Sequence, residues 1–249
     1  MEIKNIILLV VFILGLVFMQ FIQAQSVDEI IDNYAEARGG KHKINSINSI
    51  YMQGIREMMG NAVAVKVIKV QGKLFRNDFE FRGTSGYTIV TPSAGWSFIP
   101  MRSQKPEPLA GERLTALQSD LDIACPLLNY AAKGNKAVLI GKEDVDGKQA
   151  YKIKLTLNSG KEIIYFIDTK THLVIQTKQM TVSMHAGGNA NAGQERELIT
   201  NFSDYRSVEG ILFPYKVSNP GSGPGTGSTA FSKIELNKTI DENQYRPSV

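Results

Sequence analysis

Between Ser49 and Pro100 the chain alternates apolar and polar residues with a period of two, in runs cut by turn residues. The runs "SIYMQGIREM", "AVAVKVIKVQ", "KLFRNDFEF", "YTIVT" and "GWSFI" break at Gly60-Asn61, Gly72-Lys73, Gly83 to Gly86 and Pro92 to Gly95. A strand exposes successive side chains on opposite faces, and Gly, Asn and Pro supply the backbone angles that reverse it. Such a pattern folds only into an antiparallel meander with one dry face. A second series follows Gly134: "KAVLIGKEDV", "QAYKIKLTL", "KEIIYFID", "LVIQTKQMTVSM", "RELITNFSDY", "ILFPYKV" and "FSKIELN". Asp146-Gly147, Ser159-Gly160 and Glu209-Gly210 are hairpin turn signals between these strands.

Two stretches carry helical spacing instead. In "SVDEIIDNYAEARGG", Ser26 is placed to cap a helix and Glu29 completes a capping box, while Gly39 and Gly40 stop it. Val27, Ile30, Ile31, Tyr34 and Ala37 form one apolar stripe. "KHKINSI" adds a short helical turn. Between Pro100 and Gly134, Leu114, Leu117, Leu121 and Leu128 recur at helical spacing around Pro126. The fold class is therefore mainly β with helices, in which the first helix and a mid-chain helical insert cover one face of the sheet.

The first residues, MEIKNIILLVVFILGLVFMQFIQAQS, place Lys4 before about fourteen apolar residues and then polar residues around Ala24. This layout predicts a signal peptide over residues 1–24, cleaved near Ala24, and one exported domain over residues 25–249; a retained anchor is the alternative. About 225 residues remain, enough for a single β-rich domain. The formal net charge of +4 comes from interspersed Lys, Arg, Asp and Glu, so the concentrated basic face that nucleic acid requires is missing. Cys125 is the only cysteine, which excludes an internal disulfide, and in "DIACPLLNY" it reads as a small buried hydrophobe.

Catalytic and metal signatures are sparse. His42, His172 and His185 stand far apart, with no pair at metal-binding spacing. No G-x-S-x-G elbow occurs, and neither "HAGGNANAGQ" nor "NPGSGPGTGST" ends as a phosphate loop does. The expectation is a protein that is not an enzyme and needs no cofactor. An apolar ligand requires only a dry concave surface that stays open. By strand parity the candidate lining is Phe75, Phe79 and Phe81 on one strand, Trp96 and Phe98 on another, and Tyr151, Ile153 and Leu155 on a third. Met52, Met58 and Met59 are candidates for an adaptable wall, and Leu114, Leu117 and Leu121 for lid contacts.

The order of "DEIIDNYAEARGGKHKINSINSI", "KLFRNDFEF", "YTIVTPSAGWSFIP", "YFIDTKTHLVIQTK", "FSDYRSVEGILFPYKV" and "IELNKTIDENQYRP" resembles the LolA-type outer-membrane lipoprotein-sorting proteins, over nearly the whole exported chain. The resemblance implies an open, unclosed antiparallel β-barrel with helices across its concave mouth. It implies a periplasmic, monomeric carrier of lipid or lipoprotein acyl chains, moving between inner-membrane donor and outer-membrane acceptor proteins. It also puts Arg76 where the carriers have an arginine that holds the lid closed. The alternatives are a non-catalytic envelope-assembly module that docks a protein, and a hydrolase acting on a lipid.

Overall fold

The computed structural model describes residues 25–58, 60–100, 102–182, 195–220 and 227–247. The leader expected over 1–24, Met59, His185 and most of the two Gly-rich loops lie outside the described residues.

Helix α1 (Val27–Ala37) begins where expected: Ser26 Oγ accepts from Glu29 N at 3.1 Å. The second half of the capping box differs, because the Glu29 side chain accepts from Gln25 Nε2 at 3.1 Å. Its buried stripe is Ile30, Ile31, Tyr34, Ala35 and, one turn on, Arg38, with Ala37 left half-buried. Gly39 has a φ of 120°, and a Cβ there would collide with the Gly210 carbonyl oxygen. Only glycine lets the end of α1 lie against that distant hairpin. Helix α2 (Lys41–Asn45) follows at once.

The strands form one continuous antiparallel sheet in two meanders. The first runs β1 (Ser49–Met58), β2 (Asn61–Val70), β3 (Leu74–Phe81), β4 (Thr84–Val90), β5 (Gly95–Phe98) and the two-residue β6 (Glu107–Pro108). The second runs β7 (Lys136–Val145), β8 (Lys148–Thr156), β9 (Glu162–Asp168), β10 (Val174–Val182), β11 (Glu195–Val208), β12 (Ile211–Asn219) and β13 (Gly227–Leu236). The first strand of one meander pairs with the last of the other, Ile50 opposite Leu236, which joins them edge to edge. β6 and β7 are thus the two ends of a 13-stranded sheet, and among the described residues no ladder joins them, so the sheet is open. Arg82-Gly83, Asp146-Gly147 and Glu209-Gly210 all have positive φ at both positions, the twist that a tight hairpin turn demands.

This topology explains the insert. The chain must travel from β6 at one end to β7 at the other, so the connection crosses a face of the sheet. It does so as α3 (Gly111–Gln118), a 3-10 turn over Ser119–Leu121, irregular turns, and a 3-10 turn over Ala131–Lys133. The helical spacing from Leu114 to Leu128 therefore overstates the helix, which ends at Gln118. Pro126 disfavours the α region for the residue before it, and Cys125 has a φ of 75°. One further departure lies in β11, which continues past Tyr205 to Val208 through an irregularity at Asp204 (φ 55°). Tyr205 there faces Pro214, which has no N–H to offer a regular ladder.

Candidate functional site

The first region of interest lies under α3. Lys69 pairs with Phe75, Phe75 with Val90, and Val90 with Gly95, so these residues share one face. A Cβ on Gly95 would stand 2.9 Å from Leu114 Cδ1 and 3.0 Å from Leu109 Cδ1, so the bare glycine lets α3 settle on the sheet. Val90, Leu109 and Leu121 are buried here, with Phe75, Leu114 and Leu117 packed half-buried against them. The expected lid leucines thus meet the first of the expected lining phenylalanines. Phe79 and Phe81 continue the same face along β3, half-buried, Phe79 pairing with the buried Val65 and lying over Gly86.

Helix α3 is held from both flanks: Leu109 N, two residues before it, donates to Gly95 O at 2.8 Å, and its C-terminal end carries further bonds. Gly72 N donates to Leu121 O at 2.9 Å, Ile123 N to Gln71 Oε1 at 2.8 Å, and Gln118 Nε2 to Pro92 O at 2.8 Å. Lys69 adds an ion pair to Asp120 at 3.5 Å. Its N-terminus has no side-chain cap, and no α3 residue whose side chain is described is fully buried.

The second region lies under α1. Tyr151, Ile153 and Leu155, the third set of expected lining residues, are buried there among Ile30, Ile31, Leu127, Leu128, Ile167 and Phe213. They form the floor of a filled core, and the Tyr151 hydroxyl donates to Gln25. Within that core stands a polar group that sequence reasoning missed. Arg38, 6% exposed, donates from Nε to Leu212 O at 3.2 Å and from Nη1 to Tyr34 Oη at 3.3 Å. Tyr34 Oη is 4.0 Å from Cys125 Sγ, and Tyr205 donates to Val174 O at 2.7 Å. Burial, only partly offset by Arg38, pushes the Tyr34 phenol well above its ordinary value, and burial does the same to Tyr205 and Tyr165. All three stay neutral near pH 7. The signal was present in the sequence: Arg38 follows Ile31, Tyr34 and Ala35 at seven, four and three residues, which puts it on the apolar stripe.

The third region is the opposite face. Ile89 pairs with both Arg76 and Trp96, and Tyr87 with Phe98, so Arg76, Trp96 and Phe98 point away from α3. Trp96 and Phe98 pack with Ile68, Leu74, Tyr87, Ile240 and Tyr245. Arg76 donates to Asp78 at 2.7 Å and to Gln244 O at 3.2 Å, and its guanidinium lies 5.2 Å from the Tyr87 ring centre. It fastens the C-terminal 3-10 turn (Glu242–Tyr245) to the back of the sheet and does not touch α3. Nearby, a cleft of about 240 Å³ opens between Asn48, Val70, Lys238 and Tyr245.

In the polar stretch 201–217, Asp204 and Arg206 form an exposed ion pair at 2.6 Å, with Arg206 over the Tyr215 ring. Among the described residues no group of three His, Cys, Asp or Glu is placed to hold a metal ion, and no helix is long and apolar enough to cross a membrane.

No family model matches the chain, and no curated protein matches it. Solved structures do. A LolA superfamily protein from Nitrosomonas europaea superposes with a TM-score of 0.57 at 13% identity, over 90% of this chain and 99% of that one. An outer membrane lipoprotein-sorting protein domain from Vibrio parahaemolyticus gives a TM-score of 0.50 at 12% identity, over 88% and 95%. The chain therefore has the LolA-type fold, an open antiparallel barrel with helices on one face.

Proposed function

We propose that this chain is an exported, single-domain carrier that takes up lipid or lipoprotein acyl chains on its helix-covered face and releases them unchanged. The observation that carries this reading is the contrast between the apolar patch of Phe75, Val90 and Leu109 and the shallow, uncapped helix above it. A helix that buries little of its own surface between two anchors, Leu109 before it and Gln118 at its end, can lift off the sheet between them, exposing the patch and the half-buried Phe79 and Phe81 beyond it. Each methylene that replaces water against such a surface is worth ~0.8 kcal/mol, so a few suffice to compensate for displacing Leu114 and Leu117.

In this reading Phe75, Phe79 and Phe81 line the acyl path, and Leu114, Leu117 and Leu121 close it. Tyr151, Ile153 and Leu155 bound the same face beneath α1, while Trp96, Phe98 and Arg76 brace the sheet from behind. The leader layout of residues 1–24 and the LolA-type fold support a periplasmic location and handover between membrane-bound donor and acceptor proteins. No bond of the cargo is made or broken, and the carrier needs no metal or nucleotide.

Native mass spectrometry of the protein isolated from its own compartment tests the proposal. A carrier retains a mass increment that organic extraction identifies as lipid. Protein of apo mass throughout, with no displacement of a fluorescent fatty acid on titration, would contradict it.

A further inference from the structure

One recess on the helix-covered face holds polar groups that are not matched within the chain. It lies where β5, the turn after it and the first turn of α3 meet, about 190 Å³ with its mouth included, lined by Ser97, Ile99, Arg102, Ser103, Glu107 and Arg113. Ser97 is 5% exposed, yet its hydroxyl has no hydrogen-bond partner among the described residues. Arg113, the third residue of α3, forms no ion pair among the described residues, and its Nε is shut off from solvent without an acceptor. The other groups are engaged, though not all firmly. Ser103 Oγ donates to Lys105 O at 2.7 Å, whereas Arg102 reaches Glu107 only at 4.0 Å, with both side chains exposed. An exposed pair at that distance contributes little, while a buried donor left unmet is costly. Two guanidiniums against one carboxylate leave the recess one net positive charge, and the uncapped N-terminus of α3 adds to it.

We infer that this recess is the subsite for the phosphate of a phospholipid headgroup, held by Ser97, Arg102 and Arg113. The inference rests on the acyl-carrier reading and names the cargo class, an acyl lipid headed by a phosphodiester. A phosphodiester carries one negative charge, which matches the net charge of the recess. Its tetrahedral oxygens suit donors that converge from β5, from the turn and from α3, where a planar carboxylate would need only one fork. The recess is too narrow to enclose a whole headgroup, so the phosphate seats at its mouth. One oxygen reaches in to Ser97 and Arg113, and Arg102 turns to it from Glu107. The placement also fits the tails. Ser97 shares its face with Gly95, about 7 Å away along β5, and Gly95 pairs with Val90 and Val90 with Phe75. Acyl chains that start at Ser97 therefore meet the patch under α3 at once. Ser97 pairs in turn with Thr88, and Thr88 with Asn77, a short polar row beside the patch that suits ester and glycerol oxygens.

The test compares dihexanoylphosphatidylglycerol, dihexanoylglycerol and inorganic phosphate as competitors of a neutral fluorescent acyl probe on the full chain. The two lipids share their acyl chains, and the phospholipid is expected to displace the probe at a concentration about tenfold or more lower. Added salt should shrink that advantage. Arg113→Met should remove most of it by weakening the phospholipid alone, and Arg113→Lys should restore part. Arg113 has no partner to lose, so thermal unfolding should stay unchanged. Arg102→Gln, at an exposed position outside the helix, gives the same readout independently. Equal displacement by the two lipids would overturn this inference and leave the carrier reading standing. So would an advantage that survives both substitutions, since the phosphate would then sit elsewhere. Inorganic phosphate that weakens phospholipid binding at an equal concentration would also overturn it, the recess then taking free anions. Failure of both lipids and of the probe itself would bring down the carrier reading.

Discussion

Helices α1 and α3 lie on the same face of one sheet, yet they are bound to it in different ways. α1 is capped by Ser26, sinks Ile30, Ile31, Tyr34 and Ala35 completely, and is pinned at its far end where Gly39 meets Gly210. α3 has no side-chain cap, leaves Leu114 and Leu117 half-buried, and is tied down through its flanks, Leu109 before it and Gln118 and the turn that follows. On the proposed carrier reading, the difference separates a permanent core from a removable cover. Full burial of a leucine-sized side chain is worth ~1.5 to 3 kcal/mol, so losing the α1 contacts unfolds the domain whereas losing those of α3 only opens it.

The largest expected effect follows from truncating each helix. Ile30→Ala should cost about 3 to 4 kcal/mol in urea unfolding, and Leu114→Ala only about 1 kcal/mol. Equal losses would break the comparison. Gly39→Ala should cost about 2 to 4 kcal/mol, because the new methyl group meets the Gly210 carbonyl at a φ of 120° that alanine avoids. Its readout is thermal unfolding, with increased hydrogen exchange in α1 and in the β11–β12 hairpin together.

A pH titration sharpens the account of the α1 half. Burial alone would raise the pKa of Asp168, but backbone N–H groups of Thr171 and Lys170 outweigh it and hold the carboxyl below its ordinary 3.8. The folded value is depressed, so this stabilisation is complete above pH 3.8 and fades as pH falls through the folded value. Asp168→Ala should cost about 2 kcal/mol at neutral pH, and the gap between the two proteins should narrow below that window. The smallest effect is expected at Gln118→Ala, about 0.5 to 1 kcal/mol. Exchange should rise in α3 amides and stay unchanged in α1; a rise in both would show that the two helices move together.

The sheet was legible in the sequence because its turns are local chemistry. Asp146-Gly147 and Glu209-Gly210 need positive φ at both positions, and only a few residue types supply it without strain. α1 was legible for the same reason, through Ser26 and the stripe that follows. The extent of α3 was not, because leucine spacing persists beyond Gln118 while Pro126 and the positive φ values at Cys125 and Asn129 forbid a helix there. Nor was the division of the aromatic residues between faces. Parity relates Phe75 to Phe79, and Trp96 to Phe98, but which pair shares α3's face depends on the register through β4. Ile89, opposite both Arg76 and Trp96, decides it, and no periodicity within one strand encodes that pairing. Arg38 was the reverse case: its place on the buried stripe, seven, four and three residues after Ile31, Tyr34 and Ala35, was readable in the sequence.

The central claim is that acyl chains lie on the face under α3, and the single tryptophan offers a direct measurement. Trp96 stands on the opposite face, so a fatty acid brominated along its chain should bind without quenching the fluorescence of the unaltered protein. In a protein carrying Trp96→Phe and Phe75→Trp, the same ligand should quench strongly and saturably. Quenching of Trp96 in the unaltered protein, with none in the relocated variant, would place the ligand behind the sheet and contradict the account.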